Sequence, residues 1–269
     1  MATASLAVTE ATEILRPGSE EEAIEMFGDG TGLLVVGGGT IVMPELTYGK
    51  LQPERALLLQ DAGLGGVARD GSRVTIGAMT PVQELVDLPA PLGPCAAGVA
   101  DVEIRSQGTV GGNLCASRGP DAPRGDLQSA LIAVGATVRS AGAGGERSEP
   151  AEEFLSKREG RLVLDVSFDE PAAGAFAALD RAHTHDYTAL AVSAACTAEG
   201  EIRLAASGVA GPATRLTAAE AKADDPDGAA TAALEEVTFE DDALASAWYR
   251  ERTLPVLVRR ALTQLQEAS

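Results

Sequence analysis

Two glycine-dense segments constrain this chain more than anything else in it. The first, Gly37-Gly38-Gly39-Thr40, follows the apolar run Leu33-Leu34-Val35-Val36, and the second is Gly108-Thr109-Val110-Gly111-Gly112-Asn113. Glycine lacks a Cβ, so backbone N–H groups can turn inward and approach a ligand closely. A row of such groups makes an anion nest suited to a diphosphate. Two nests in one chain point to one bulky ligand with a charged middle, and a dinucleotide such as FAD answers that description. Thr109 and Asn113 add a hydroxyl and an amide, which either donate to phosphate oxygens or brace the loop. A glycine pair in a loop is more often a plain turn, so the spacing alone leaves both readings open. The G-x-G-x-x-G of a Rossmann turn is absent, which disfavours NAD bound in that mode.

Charge and cysteine content exclude other classes. Asp and Glu number 40 against 21 Lys and Arg, a formal net charge of −19. Nucleic acid, whose binding depends on cations meeting phosphates, is therefore disfavoured. The same field opposes an anionic cofactor at long range, but screening over about 8 Å lets a local nest win. Arg105, Arg118 and Arg124 flank the second turn and are candidates to offset it there, or are simply solvated. Cys95, Cys115 and Cys196 are widely spaced and odd in number, as in a reducing compartment, and fall short of the four thiolates of an iron–sulfur cluster. The two histidines, His183 and His185, read as part of a surface loop, with too little around them for a zinc or Ser-His-Asp hydrolase. No apolar run reaches bilayer length and no signal core opens the chain, so the expectation is a cytoplasmic protein without a membrane span.

The length predicts two or three subdomains. Ser19-Glu20-Glu21-Glu22 is a capping box opening a helix that stops near Gly28. Strands are expected at Leu33–Val36, Ala56–Leu59, Val74–Ala78 and Arg161–Phe168. Thr80-Pro81-Val82-Gln83 predicts a helix through about Val86, and another covers part of Pro94–Ala100. Asp126 is placed to cap a helix over Leu127–Val134, stopped by Gly135. Residues 141–145 read as a flexible connection. Ala189–Thr197 and Glu201–Val209 form a hairpin pair. Two helices follow, near Gly228–Glu236 and Leu244–Gln266. The second carries Trp248, Leu254, Val258 and Leu262 as a packing stripe and Pro255 as a kink. The pattern is α+β.

On these residues the chain resembles a known family. Leu34–Met43 (LVVGGGTIVM), Thr75–Leu85 (TIGAMTPVQEL), Ala100–Asn113 (ADVEIRSQGTVGGN) and Ala130–Val138 look like the FAD-binding medium subunit of molybdenum hydroxylases, the family of carbon monoxide and xanthine dehydrogenases. Arg181–Ala195, Ser207–Glu220 and Ala245–Leu262 resemble the same subunit's C-terminal part. The resemblance implies a vanillyl-alcohol-oxidase-type FAD-binding fold in two subdomains, 1–60 and 61–170. A C-terminal flavoprotein domain of antiparallel strands and helices, 171–269, would follow.

By that resemblance Gly37, Gly38, Gly39, Thr40 and Ile41 cradle the diphosphate from one side, and Thr109, Val110, Gly111, Gly112 and Asn113 approach it from the other. Asp126 matches a family aspartate that contacts the cofactor, with Asp121 the alternative and a plain helix cap the structural reading. Leu162 matches an apolar flavin contact and is equally a core-strand leucine. Tyr187 matches a position against the isoalloxazine ring, where an aromatic face stacks well, or else fills a core. The chain departs from the family at Ile41, where a polar residue is usual, and near Ala178, where relatives carry a lysine. The implied function is electron transfer, with no protein acid, base or nucleophile. A small partner subunit would carry two 2Fe-2S clusters and a large one molybdopterin, in a dimer of heterotrimers. A standalone flavin oxidoreductase and a flavin-free scaffold are the rival readings.

Overall fold

A computed structural model describes residues 12–116, 125–179 and 188–268. The chain opens with β1 (Glu13–Leu15) and α1 (Glu20–Phe27). The Ser19 hydroxyl accepts from the Glu22 N–H at 3.2 Å, while the Glu22 carboxylate reaches back to the Gly18 N–H at 2.7 Å. Gly28, at φ +60°, ends the helix. β2 (Leu33–Val36) leads through the first glycine turn into α2 (Val42–Thr47) and then β3 (Arg55–Leu58). These strands form a parallel sheet in the order β1-β3-β2.

β4 (Val67–Asp70) and β5 (Arg73–Gly77) begin an antiparallel five-stranded sheet. It is completed by β6 (Thr137–Gly142), β7 (Arg147–Pro150) and β8 (Arg161–Asp169), in the order β4-β5-β8-β6-β7. Between β5 and β6 lie α3 (Leu92–Ala97), α4 (Val102–Gln107), α5 (Val110–Cys115) and α6 (Leu127–Ala133), and α7 (Ala151–Ser156) follows β7. A third, antiparallel sheet runs β12-β11-β10-β9, built from β9 (Ala173–Ala178), β10 (Ala191–Cys196), β11 (Ile202–Ser207) and β12 (Thr214–Arg215). After α8 (Thr217–Glu220), helices α9 (Pro226–Glu236) and α10 (Ala247–Ala268) pack on that sheet.

Every residue of α6 is buried, because α3, α5 and α7 pack against it on one side and β10, β11 and β12 of the third sheet on another. Its partners on β10 and β11 alternate with the strand period. Ala195 and Ala205 join the core around α6, whereas Val192, Ala194, Leu204 and Ala206 face the core of α9 and α10. Small side chains on the α6 face let helix and sheet approach, and Ser129 meets Ser193 there at 3.0 Å. The buried Gln128 amide donates to the carbonyls of Leu114 and Ala116 and accepts from the Ala213 N–H.

Four local expectations need correction. The helix predicted through Val86 is a single 3₁₀ turn, Val82–Leu85. Thr80 does not cap it, because the hydroxyl is engaged with both the N–H and the carbonyl of Gly66. Residues 141–145 are the end of β6 and a tight turn into β7, with Gly144 and Gly145 at positive φ, rather than a loose connection. Asp126 makes no capping hydrogen bond to α6, and the Asn113 Oδ1 takes the Leu127 N–H at 2.9 Å instead. Trp248 leaves the α10 stripe: it is 61% exposed, with the Arg252 guanidinium over its ring at 4.6 Å, while Leu254, Val258 and Leu262 are buried as expected. Pro255 lies inside α10, which continues past it. Among the described residues no helix is long and apolar enough to cross a membrane.

Candidate functional site

The two glycine turns, about seventy residues apart in sequence, touch each other. A Cβ built on Gly38 would lie 1.8 Å from the Gln107 carbonyl oxygen and 3.1 Å from the Gly108 Cα. One built on Gly37 would lie 2.8 Å from the Thr109 hydroxyl, and Gly108 in turn faces the Thr40 hydroxyl. Only a backbone without a side chain at 38 lets these loops close. Gly39 adds a left-handed turn, φ +75°, which starts α2 in its present direction. The N–H groups of Gly38, Gly39, Thr40 and Ile41 donate to no other described residue. They are the open end of a helix that follows a strand.

The second turn is built more rigidly. Thr109, extended at φ −104°, caps α5 through its hydroxyl, which accepts from the Gly112 N–H at 3.2 Å. The Val110 N–H donates to the Thr80 carbonyl and the Gly111 N–H to that of Ala78. Gly111 packs so closely on Ala78 that a Cβ would sit 2.9 Å from its methyl carbon. These two N–H groups are consequently engaged within the protein. The Val110 side chain is fully buried in the core and does not reach the cleft between the turns.

That cleft has a volume of about 470 Å³, within the range of small-molecule sites. Gly37, Gly38, Gly39, Thr40 and Ile41 form one wall, and Thr109, Gly111, Gly112 and Asn113 another. Leu162, on β8, lies in the lining although its side chain also belongs to the core beneath β2 and β3. Asp126, only 8% exposed, lines the cleft too, and its backbone carbonyl accepts from the Cys95 thiol at 3.2 Å. Burial, then the nearby Asp126 charge, push the Cys95 thiol well above its usual pKa. Tyr187, Asp121, Arg118, Arg124 and both histidines lie outside the described residues. Cys115 sits in the lining just beyond Asn113, and burial pushes its thiol up to about 11 despite the Arg158 charge.

Residues 9–168 match the family described as the FAD binding domain in molybdopterin dehydrogenase. The chain belongs to that family. It is 31% identical over 147 residues to the carbon monoxide dehydrogenase medium chain of Hydrogenophaga pseudoflava, covering 52% of this chain and 50% of that one. It is 29% identical over 177 residues to a subunit of the 6-hydroxypseudooxynicotine dehydrogenase complex of Paenarthrobacter nicotinovorans, covering 60% and 58%. These matches span little more than half the length of those relatives. The fold likeness runs further. A solved carbon monoxide dehydrogenase from Hydrogenophaga pseudoflava superposes with a TM-score of 0.84 at 26% identity, over 97% of this chain and 100% of the other.

The cofactor of this family member is FAD, and the cleft suits it. A turn with four unengaged N–H groups, closed against a second glycine loop without intervening side chains, is a shape a diphosphate fills. The remaining lining is mostly apolar, from Leu34, Val35, Met79, Val82 and Ile104 among others, as a flat aromatic ligand requires. Among the described residues no three His, Cys, Asp or Glu side chains group as metal ligands.

Sequence reasoning missed the wall opposite α2. Asp101 caps α4 by accepting from the Ile104 N–H at 2.8 Å, a cap legible in Asp-Val-Glu-Ile but not recognised. Val99, Ala100 and Ile104 line the cleft from there, beside Arg105, whose charge the sequence places next to the second turn.

Proposed function

We propose that this chain is the FAD-binding electron-transfer subunit of a heterotrimeric molybdenum hydroxylase, assembled as a dimer of heterotrimers. A small partner carrying 2Fe-2S clusters would deliver electrons, and a large molybdopterin partner would oxidise the substrate. The observation that carries the reading is the contact of Gly38 with Gln107 and Gly108, which closes two diphosphate turns on one cleft in a member of an FAD-binding family. FAD supplies the redox chemistry when bound. This chain's residues bind, orient and exclude water. In this reading the free N–H groups of Gly38 to Ile41 hold one side of the diphosphate. Gly112 and Asn113 stand at the other, with Thr109, Val110 and Gly111 fixing that turn to the Ala78–Thr80 segment. Asp126 faces the ribose and adenine half, Leu162 supplies an apolar surface, and Tyr187 stacks on the ring.

We read the parallel sheet (1–60) and the five-stranded sheet (61–170) as the two halves of a vanillyl-alcohol-oxidase-type fold, with 171–269 as the C-terminal domain. Purification of the native complex tests the functional reading. Molybdenum and iron should co-purify, and the flavin absorbance should bleach when substrate is added to the complex but not to this chain alone. A chain that turns over a substrate by itself, with no metal-bearing partner, refutes it.

A further inference from the structure

We propose that Arg105 is the fixed positive charge of the cofactor cleft, serving the negative charge of the bound dinucleotide. This rests on the FAD reading and adds a residue to it. Arg105 projects from α4 into the cleft lining, and the neutral oxygens around it hold it still. Its Nε donates to Gln83 Oε1 at 3.0 Å, and its Nη1 donates to the carbonyls of Ala97, Val99 and Ala100 at 3.2, 3.0 and 2.8 Å. Its Nη2 donates to no described residue, and it enters no ion pair among them. Four neutral acceptors orient the guanidinium without cancelling its charge.

The surroundings make that charge matter. Glu45 and Asp126 line the same cleft, and the chain carries a formal net charge of −19. Arg161, the other arginine in the lining, turns its head away to Ser140, Ala143 and Gly145 at the β6–β7 turn. Because charges beyond about 8 Å are screened, an anionic ligand feels the nearest cation more than the distant acidic surface. The bracket around Nη1 also holds a strained residue. Ala100, at φ +42°, is the one described non-glycine residue in the left-handed region, and such strain is concentrated at ligand clamps. The short helix that positions Arg105 runs directly into Gly108, which meets Thr40 across the cleft.

The test compares Arg105→Gln and Arg105→Lys in the full chain by FAD titration at low and high salt, with the flavin midpoint potential measured in parallel. Arg105→Gln should weaken FAD binding about tenfold and flatten its salt dependence, while Arg105→Lys recovers most of the affinity because the charge remains. If the charge acts on the reduced ring, Arg105→Gln also lowers the two-electron potential by about 30 mV per tenfold change. If it acts on the diphosphate, the potential holds and competition by inorganic pyrophosphate weakens instead. Either supports the proposal. Should Arg105→Gln misfold, the Ala100→Gly/Arg105→Gln double variant removes the strain and keeps the comparison. Unchanged affinity, salt slope and potential in Arg105→Gln overturn it, as does equal damage from Lys and Gln, which would make Arg105 a bracket only. A wild-type chain that takes up no FAD removes the cofactor reading beneath it as well.

Discussion

Replacing Gly38 by alanine should separate the two turns and loosen the cofactor. The added methyl would lie 1.8 Å from the Gln107 carbonyl oxygen and 2.6 Å from its carbon, whereas ordinary contact begins at 3.4 Å. Both obstacles are backbone, so no rotamer change relieves them. The loops must move apart by the difference, or Gln107 and the end of α4 must shift. Overpacking of this kind typically costs about 1–3 kcal/mol of stability. It also widens the gap a diphosphate must bridge, and a loss of even one well-placed N–H contact corresponds to about tenfold in affinity. We expect Gly38→Ala to raise the FAD dissociation constant at least tenfold, read by absorbance titration, and to lower the melting temperature of the apo-protein by a few degrees. Gly65→Ala is the control, because its methyl would meet nothing nearer than 3.9 Å. If Gly38→Ala binds FAD as tightly as Gly65→Ala, the two loops do not jointly hold the ligand and the argument from their contact fails.

Other perturbations follow from the same geometry. Thr109→Ala removes the α5 cap and should cost about 1 kcal/mol in denaturant unfolding, while Thr109→Ser should restore it, since only the hydroxyl is used. Arg250 is fully buried and pairs with Asp242 at 2.6 Å, so Arg250→Met should destabilise by about 3–5 kcal/mol, seen as a lower urea midpoint. Cys115, with its thiol pushed up to about 11, should react slowly with iodoacetamide near neutral pH, measured by mass spectrometry against the unfolded chain. Because its folded pKa exceeds the unfolded value of about 8.5, stability should be flat below pH 8 and decline as pH rises from there toward 11; Cys115→Ala should remove that part of the decline.

What the sequence revealed depended on whether the signal was local. Ser19 with Glu22, the apolar run before Gly37 and the 198–200 turn between β10 and β11 each specify their geometry within a few residues, and the strands and α1 lie where those residues place them. The glycine turns could be recognised singly, but nothing local states that Gly38 touches Gln107, because that contact joins residues about seventy apart. The Thr80 segment failed for the same reason. Its hydroxyl had a good local use as a cap, and a tertiary partner, Gly66, won it instead. Asp126 lost the capping role to Asn113, which takes the N–H of Leu127 from fourteen residues earlier in the chain, through a bond that only the folded loop allows. Arg105 was visible as a charge beside the second turn, but its cage of neutral oxygens was not, because three of the four are backbone carbonyls at the end of α3 and in the loop after it, which no side chain marks in the sequence.

The buried amide of Gln128 bears on how this protein can be cut. The family match stops at residue 168, which invites expression of that portion alone. Truncation there would remove Ala213, whose N–H meets Gln128, and Ser193, whose hydroxyl meets Ser129, and would leave one side of a wholly buried helix facing water. The same glutamine steadies the carbonyl of Ala116 in the cleft lining and that of the buried Leu114 beside it. A fragment ending at 168 should therefore be prone to aggregate and to lose flavin together, and the homology boundary is not a unit that stands by itself.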